Sequence, residues 1–471
     1  MLVERLKKII EQNKERTAYI INDESISYGK LWKIANEYAD CLKNQGTEPV
    51  VVFGHKDINM IVSIFACIIA GRTYVPIDIS VPYLRIQKII NLTNSTLVIK
   101  NDDIEINHVE TCTLSELSKY KNDDIKDNDT DIVYIIFTSG STGEPKGVPI
   151  SKDNLINFID WISNLEPLSE YKHIKVLNQA SFNFDLSVAD IFYSLYNGHT
   201  LVGLDRSSQQ DYKNMFKVIY DNEVNLMVIT PTFMKLCLLN DEFNQENYFF
   251  LKCIYFCGEK LEVSLVQKLF KRFPSLKIIN AYGPTEATSA ISAVLINPEM
   301  LDNNILPVGD ASYLATEVQI INNEIVLKGR SVFSGYLGNI PGGYYAKNKI
   351  NCYKTGDFGY FKNGLLYCNG RIDRQVKYNG YRIELDEIEY LISKLNFVVY
   401  CAVVVSYSND VVKSLKAFVV VNNKNIDSQF IKNYLKEEIP SYMIPKKIVL
   451  LDKLPVNNNG KIDRKRLENL W

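Results

Sequence analysis

Histidine is nearly missing from this sequence: the four in 471 residues are too few to build a histidine-rich metal centre. Nine cysteines are present, yet none stands in a C-x-x-C pair, so neither a zinc ribbon nor a dithiol redox motif is proposed. An odd number of cysteines, behind a start with no cleavable apolar core, points to free thiols in a reducing compartment and a cytoplasmic location. Charge of one sign is not in excess either, the formal net charge being -2, and no clean apolar run is long enough to span a bilayer. These absences argue against a nucleic-acid partner, a disordered chain and membrane insertion.

What is present is a chain too long for one compact core, with 46% apolar residues. Residues 1–14 read as an amphipathic helix with Leu2, Leu6, Ile9 and Ile10 on one side. Short β-branched runs then alternate with helix-patterned segments: "PVVVFGH" (49–55), "NMIVSIFACIIAG" (59–71), "STLVIK" (95–100), "NLMVIT" (225–230), "KIINAYG" (277–283). That alternation predicts an α/β architecture with largely parallel sheets. The polar stretch 118–131 reads as a solvated loop. From about residue 371 a hairpin, an amphipathic helix and three strand-like runs predict a small α+β domain. The expected division is therefore a large core, 1–373, and a C-terminal domain, 374–471.

The segment "YIIFTSGSTGEPKGVPIS" (134–151) places hydroxyls, glycines and a lysine directly after a strand predicted to end at Phe137. Thr138, Ser139, Gly140, Ser141, Thr142 and Gly143 offer hydroxyls and unencumbered amides, and Lys146 a charge, for phosphate oxygens. It is not the Walker pattern, because no Ser or Thr follows Lys146 and Pro145 and Gly147 interrupt any helix. In "NAYGPTEAT" (280–288), Tyr282 is placed to stack on a base and Glu286 to hold a magnesium ion, at the end of a strand where open α/β sheets bind ligands. Asp357, in "YKTGDFGYF", suits both hydroxyls of a ribose, and Lys461, in "NGKIDRKRL", sits on a lead able to carry one cation to a distant site.

Together these segments resemble the core motifs of the adenylate-forming enzymes, the superfamily of acyl-CoA synthetases, luciferases and peptide-synthetase adenylation domains. "AGRTYVPID" (70–78), "SFNFDLSVADIF" (181–192), "GRIDRQVKYNGYRIE" (370–384) and "LPVNNNGKIDRKRL" (454–467) extend the resemblance over essentially the whole chain. It implies a large N-terminal adenylate-forming domain and a small mobile lid carrying the catalytic Lys461, with Asp373 at the hinge. It implies ATP and Mg2+ as cofactors, with Thr142, Glu286 and Lys461 catalytic and Glu286 on the metal, helped by Thr142 or Thr285. The nucleotide would meet Thr138 to Gly143, Lys146, Asn280, Ala281, Tyr282, Gly283, Thr285, Asp357, Arg371 and Lys461.

Within the superfamily the chain looks most like the ligases that activate D-alanine and load it on the phosphopantetheine thiol of a carrier protein. Asp185 would then pair with the substrate's α-ammonium, although the same residue could instead cap a helix beginning near Leu186. The remaining pocket would be Leu186, Ala189, Thr232, Tyr255, Cys257, Ala281, Ser289 and Ala290. Ala189, Tyr255 and Ala281 depart from the D-alanine pattern, which expects Met-like, Met and Thr side chains there. Another small amino acid, a stand-alone nonribosomal-peptide adenylation enzyme and a small-acid CoA ligase stay open as alternatives.

Overall fold

The computed structural model describes residues 2–120, 129–140, 143–408, 411–422, 426–455 and 462–470. Its chain divides into two compact units, one of residues 1–79, 90–136 and 147–372, the other of 80–89, 137–146 and 373–471.

The first unit is built on three sheets. One has eight strands in the order Ser292–Leu295, Lys277–Tyr282, Cys253–Phe256, Leu226–Ile229, Lys175–Asn178, Thr200–Gly203, Thr17–Ile21, Glu24–Ser27. Its six inner strands pair in parallel and only the two edge strands are antiparallel. The cause is legible in the strand Cys253–Phe256, where every residue is buried: Cys253 and Tyr255 face one core while Ile254 and Phe256 face another, so both faces of the sheet are covered. A second sheet orders Glu110–Cys112, Leu97–Lys100, Val50–Phe53, Tyr74–Ile77, Ile132–Thr138 and Lys146–Ser151. The third, assembled from residues 309–371, is antiparallel, which the alternation of strand and helix patterns earlier in the chain did not announce.

Local chemistry sets the element ends. Asp57 caps the helix Ile58–Ile69 by accepting from Met60 N–H at 2.6 Å, and Gly71 beyond its C-terminus adopts a positive φ of 67°. The N-terminal helix Leu2–Asn13 buries Leu2, Leu6 and Ile10, the expected face. Two boundaries differ from the sequence reading. The strand before the Gly/Ser/Thr turn runs one residue further, to Thr138, and Ser115–Tyr120 form a 3-10 turn where a loop was expected from residue 118.

The second unit holds the hairpin Gln375–Tyr378 and Tyr381–Glu384, the helix Leu385–Ser393, and a sheet ordered Val398–Ser408, Val411–Val421, Lys447–Leu450. Helices Leu385–Ser393 and Ser428–Glu438 bury Ile388, Leu391, Ile431 and Leu435 with Val403, Val405 and Leu415 of that sheet. Ala402, Val404 and Phe418 form a second small core with Leu454 and Leu467. Among the described residues no helix is long and apolar enough to cross a membrane.

Candidate functional site

Three of the expected nucleotide residues converge in the first unit. Tyr282 ends its strand, Asp357 lies at a bulge in the long strand Ile350–Lys362, and Arg371 stands directly opposite Asp357 at the end of the neighbouring strand. Tyr282 Oη donates to Asp357 Oδ2 at 2.6 Å, and Arg371 Nη1 donates to Oδ1 at 2.9 Å. Asp357 is almost completely buried, so these two partners hold a charge that would otherwise be expensive. A carboxylate has about four lone-pair positions, which leaves capacity for two hydroxyls of a sugar. Burial first, and the neighbouring Asp357 charge second, push the Tyr282 phenol far above its ordinary pKa, so it remains a donor. Asn280, on the same strand, is spent on Pro307 O at 2.7 Å.

Beyond Tyr282 the chain turns at Gly283. A Cβ there would lie 2.5 Å from Ala290 Cα and 2.9 Å from Ile291 N, so only glycine lets the two backbones approach. The turn delivers Glu286, fully buried in the 3-10 segment Thr285–Ala287. Tyr336 Oη donates closely to Glu286 Oε1, and Tyr353 Oη lies 3.2 Å from Tyr336 Oη. A carboxylate in this setting suits a hard cation such as Mg2+, which takes one or two protein carboxylates and completes its shell with phosphate oxygens and water. Among the described residues no group of three or more potential metal-ligating His, Cys, Asp or Glu side chains occurs.

Thr285, offered with Thr142 as a helper of the metal, makes one further contact. Its Oγ1 donates to Asp185 Oδ2 at 2.6 Å, which orients Asp185. Asp185 stands at the N-terminus of the helix Leu186–Tyr196 but makes no capping hydrogen bond with its side chain. The helix-cap alternative is thereby removed. Leu186, Ala189, Tyr255, Cys257, Ala281 and Ala290 are all buried in one core cluster, and Ser289 is buried beside them, its carbonyl 4.0 Å from Cys257 Sγ. Thr232 is half-buried and donates its N–H to Glu259. Tyr255 Oη and Asn183 Oδ1 are buried without a hydrogen-bond partner.

Sequence reading missed Tyr336, Tyr353 and Thr288. The first two sit among ordinary aromatic residues, with nothing in their spacing to mark them. Thr288 and Ser289 take φ of 62° and 69°, the left-handed region, with no glycine to signal it. Such consecutive left-handed residues cost about 1–3 kcal/mol each and collect at functional sites.

In the second unit the turn after Thr138 is already engaged with an oxyanion. Gly140 N–H donates to Glu387 Oε2 at 3.0 Å, while Arg85 Nη1 holds the other oxygen at 2.7 Å. Ser139 Oγ donates to Arg382 O at 2.9 Å and accepts from Glu384 N–H at 3.1 Å. Gly143 N–H closes the turn on Gly140 O at 3.0 Å, and Thr138 Oγ1 is buried without a partner. An amide that takes a carboxylate oxygen and an idle buried hydroxyl are the donors a phosphate needs. Lys146 begins the following strand, and its charge helps draw the Glu384 carboxyl down against the stronger upward effect of burial. Ser141, Thr142 and Lys461 lie outside the described residues.

Residues 6–337 match the model of the AMP-binding enzymes and residues 387–461 that of the AMP-binding enzyme C-terminal domain. A D-alanine–D-alanyl carrier protein ligase of Bacillus licheniformis is 36% identical, the match covering 99% of both chains. One from Staphylococcus haemolyticus is 38% identical over 97% of this chain and 96% of its own. Among solved structures, the Vibrio cholerae adenylation domain AlmE, in complex with glycyl-adenosine-5'-phosphate, superimposes with a TM-score of 0.85. That likeness covers 99% of this chain and 97% of AlmE at 23% identity, and it speaks to the fold.

Proposed function

Because this chain belongs to the AMP-binding enzyme family, we propose that it joins a small amino acid to AMP and passes it to the phosphopantetheine thiol of a carrier protein. In the first step a substrate carboxylate oxygen attacks the α-phosphorus of ATP and the bond to pyrophosphate breaks. In the second the thiol sulfur attacks the acyl carbon, loses its proton, and AMP leaves. D-alanine is the amino acid this reading carries over from relatives that match nearly the whole chain. The observation that carries it furthest is Asp185, freed from helix capping and oriented by Thr285, at the position matching the ammonium-binding aspartate of amino-acid-activating members. A plain carboxylic acid has nothing to pair with that charge, which disfavours the CoA-ligase alternative.

Two anions must meet in the first step, so the barrier falls mainly through positioning and through cations aimed at the developing charge. In this reading Thr138, Ser139, Gly140, Thr142 and Lys146 take the β- and γ-phosphates, Tyr282 packs on adenine, and Asp357 with Arg371 takes the ribose. Glu286 would hold Mg2+, which supplies positive charge against the phosphates. Lys461 bridges the substrate carboxylate and the α-phosphate, and the C-terminal domain acts as a lid that moves about Asp373 between the two half-reactions.

The test is ATP–pyrophosphate exchange with D-alanine, L-alanine, glycine, serine and β-alanine, on the full chain and on Lys461→Ala. D-alanine should support the fastest exchange, and the variant should lose at least a few hundredfold, the loss of about 3–4 kcal/mol expected for one preorganised donor. Exchange with none of the five amino acids rejects the substrate class. Near-normal exchange by Lys461→Ala rejects the lysine's role.

A further inference from the structure

Lys56 is a buried cation that the reaction outlined above does not use. It follows the strand Val50–Phe53 of the second sheet and is 4% exposed. Its Nζ reaches the eight-stranded sheet, donating closely to Gln179 O and at 2.9 Å to Leu204 O. Gln179 and Leu204 are the first residues beyond the adjoining parallel strands Lys175–Asn178 and Thr200–Gly203, at the carboxyl ends where such sheets bind ligands. One ammonium thus ties two strand ends of one sheet to a strand end of another. Gln209 Nε2 donates to the same two carbonyls, at 3.3 and 2.9 Å, but its helix Arg206–Gln210 directly follows the second of those strands and adds no link between the sheets.

An ammonium is expensive to bury, and burial lowers the Lys56 pKa to about 8 against the upward pull of Asp190, Asp78 and Asp205. Those carboxylates have partners of their own. Asp190 accepts from Asn178 Nδ2 at 3.1 Å on both oxygens, and His55 Nδ1 lies 2.5 Å from Asp78 Oδ2. Asp205 accepts from Ser207 Oγ at 2.7 Å and from Ser208 N–H at 2.8 Å. Lys56 spends its hydrogen bonds on main chain instead, so what it secures is the path of a backbone.

That path carries Asp185. From Gln179 the chain runs to the helix Leu186–Tyr196, and its carbonyls are held in turn. Asn178 Nδ2 donates to Ala180 O at 3.4 Å and Ser187 Oγ to Phe184 O at 2.7 Å, bonds made two and three residues away along the chain. The bond from Lys56 to Gln179 O spans 123 residues and sets the same segment against the other sheet.

We propose that Lys56 is a positioning residue that, by anchoring Gln179 and Leu204 from the second sheet, sets the segment 179–185 and with it the place of Asp185 for the substrate's ammonium. This rests on the role of Asp185 given under the proposed function. A misplacement of about 1 Å can cost about a hundredfold in rate. A displaced Asp185 weakens the hold on the amino acid and leaves the Asp357 site, which Tyr282 and Arg371 fix, as it was.

The experiment compares the parent, Lys56→Met, Lys56→Gln and Asp185→Asn in the full chain by pyrophosphate exchange, with D-alanine and with propionate. Lys56→Met should raise KM for D-alanine at least tenfold, hold KM for ATP within twofold, and lower the ratio of kcat/KM for D-alanine over propionate at least tenfold. Lys56→Gln, which keeps a shorter donor, should lose less. Should Lys56→Met fail to fold, Lys56→Gln carries the test through the same split between the two KM values. An unchanged KM for D-alanine, or equal rises in both KM values, overturns the proposal and leaves the ammonium a tie of the fold alone. If Asp185→Asn loses discrimination while Lys56→Met keeps it, only this inference falls; if Asp185→Asn keeps it too, the reading beneath falls as well.

Discussion

Tyr282 and Arg371 each hold one of the two oxygens of one buried carboxylate, Asp357, at 2.6 and 2.9 Å. The strands that carry them come from different sheets, so Asp357 is fixed in orientation before any ligand arrives.

Tyr282→Phe removes one donor and leaves the Arg371 pair in place. A hydrogen bond to a charged group is worth about 1.5–3 kcal/mol, so KM for ATP in the exchange assay should rise about tenfold or more with kcat little changed. Asp357→Asn strands a guanidinium and should cost about 3–5 kcal/mol, visible as both a raised KM and a lower melting temperature. If neither variant moves KM for ATP, the carboxylate does not touch the nucleotide.

Asp185→Asn keeps an acceptor for Thr285 Oγ1 and removes only the charge. Discrimination between D-alanine and propionate, measured as the ratio of kcat/KM for exchange, should fall at least a hundredfold, about 3 kcal/mol. An unaltered ratio would mean that the ammonium is recognised elsewhere.

His199 offers a pH test of the fold, away from the chemistry. It is 1% exposed, its ring lies 5.0 Å from that of Tyr193, and burial, then His173 and Arg16, push its pKa down to about 4. The unfolded chain binds the proton near pH 6.5, so stability from the neutral ring is complete above that pH and drains away as pH falls from about 6.5 towards 4. At about 1.4 kcal/mol per pH unit the contribution reaches about 3 kcal/mol. The melting temperature of His199→Phe should decline less steeply than that of the parent over this window. Parallel declines would show that the buried ring does not titrate on unfolding.

Much of this was legible in the amino-acid order, and the reasons are physical. Val50–Phe53 and Leu226–Ile229 announce themselves because a strand buried on both faces must be continuously apolar. Tyr282 and Asp357 were legible because each stands beside a glycine that breaks a strand pattern, and Glu286 because it follows the Gly283-Pro284 turn at a strand end. Tyr336 gave no such signal: its value lies in meeting Glu286 from fifty residues away, a long-range contact that no local pattern encodes. The resemblance offered Thr142 or Thr285 beside the metal, and no local pattern showed that the Thr285 hydroxyl meets Asp185, one hundred residues earlier.

The stretch from Gly283 to Ile291 owes its contour to main-chain constraints: a glycine pressed on Ala290, then two residues held left-handed at Thr288 and Ser289. A wall moulded in backbone cannot be resculpted by exchanging one side chain for another. Ala189, Tyr255 and Ala281, by contrast, sit on a helix and on two strands of regular backbone, where the side chain alone sets the local shape. If these residues line the amino-acid pocket, as proposed above, a new substrate preference would be written in those three side chains and not in the moulded main chain.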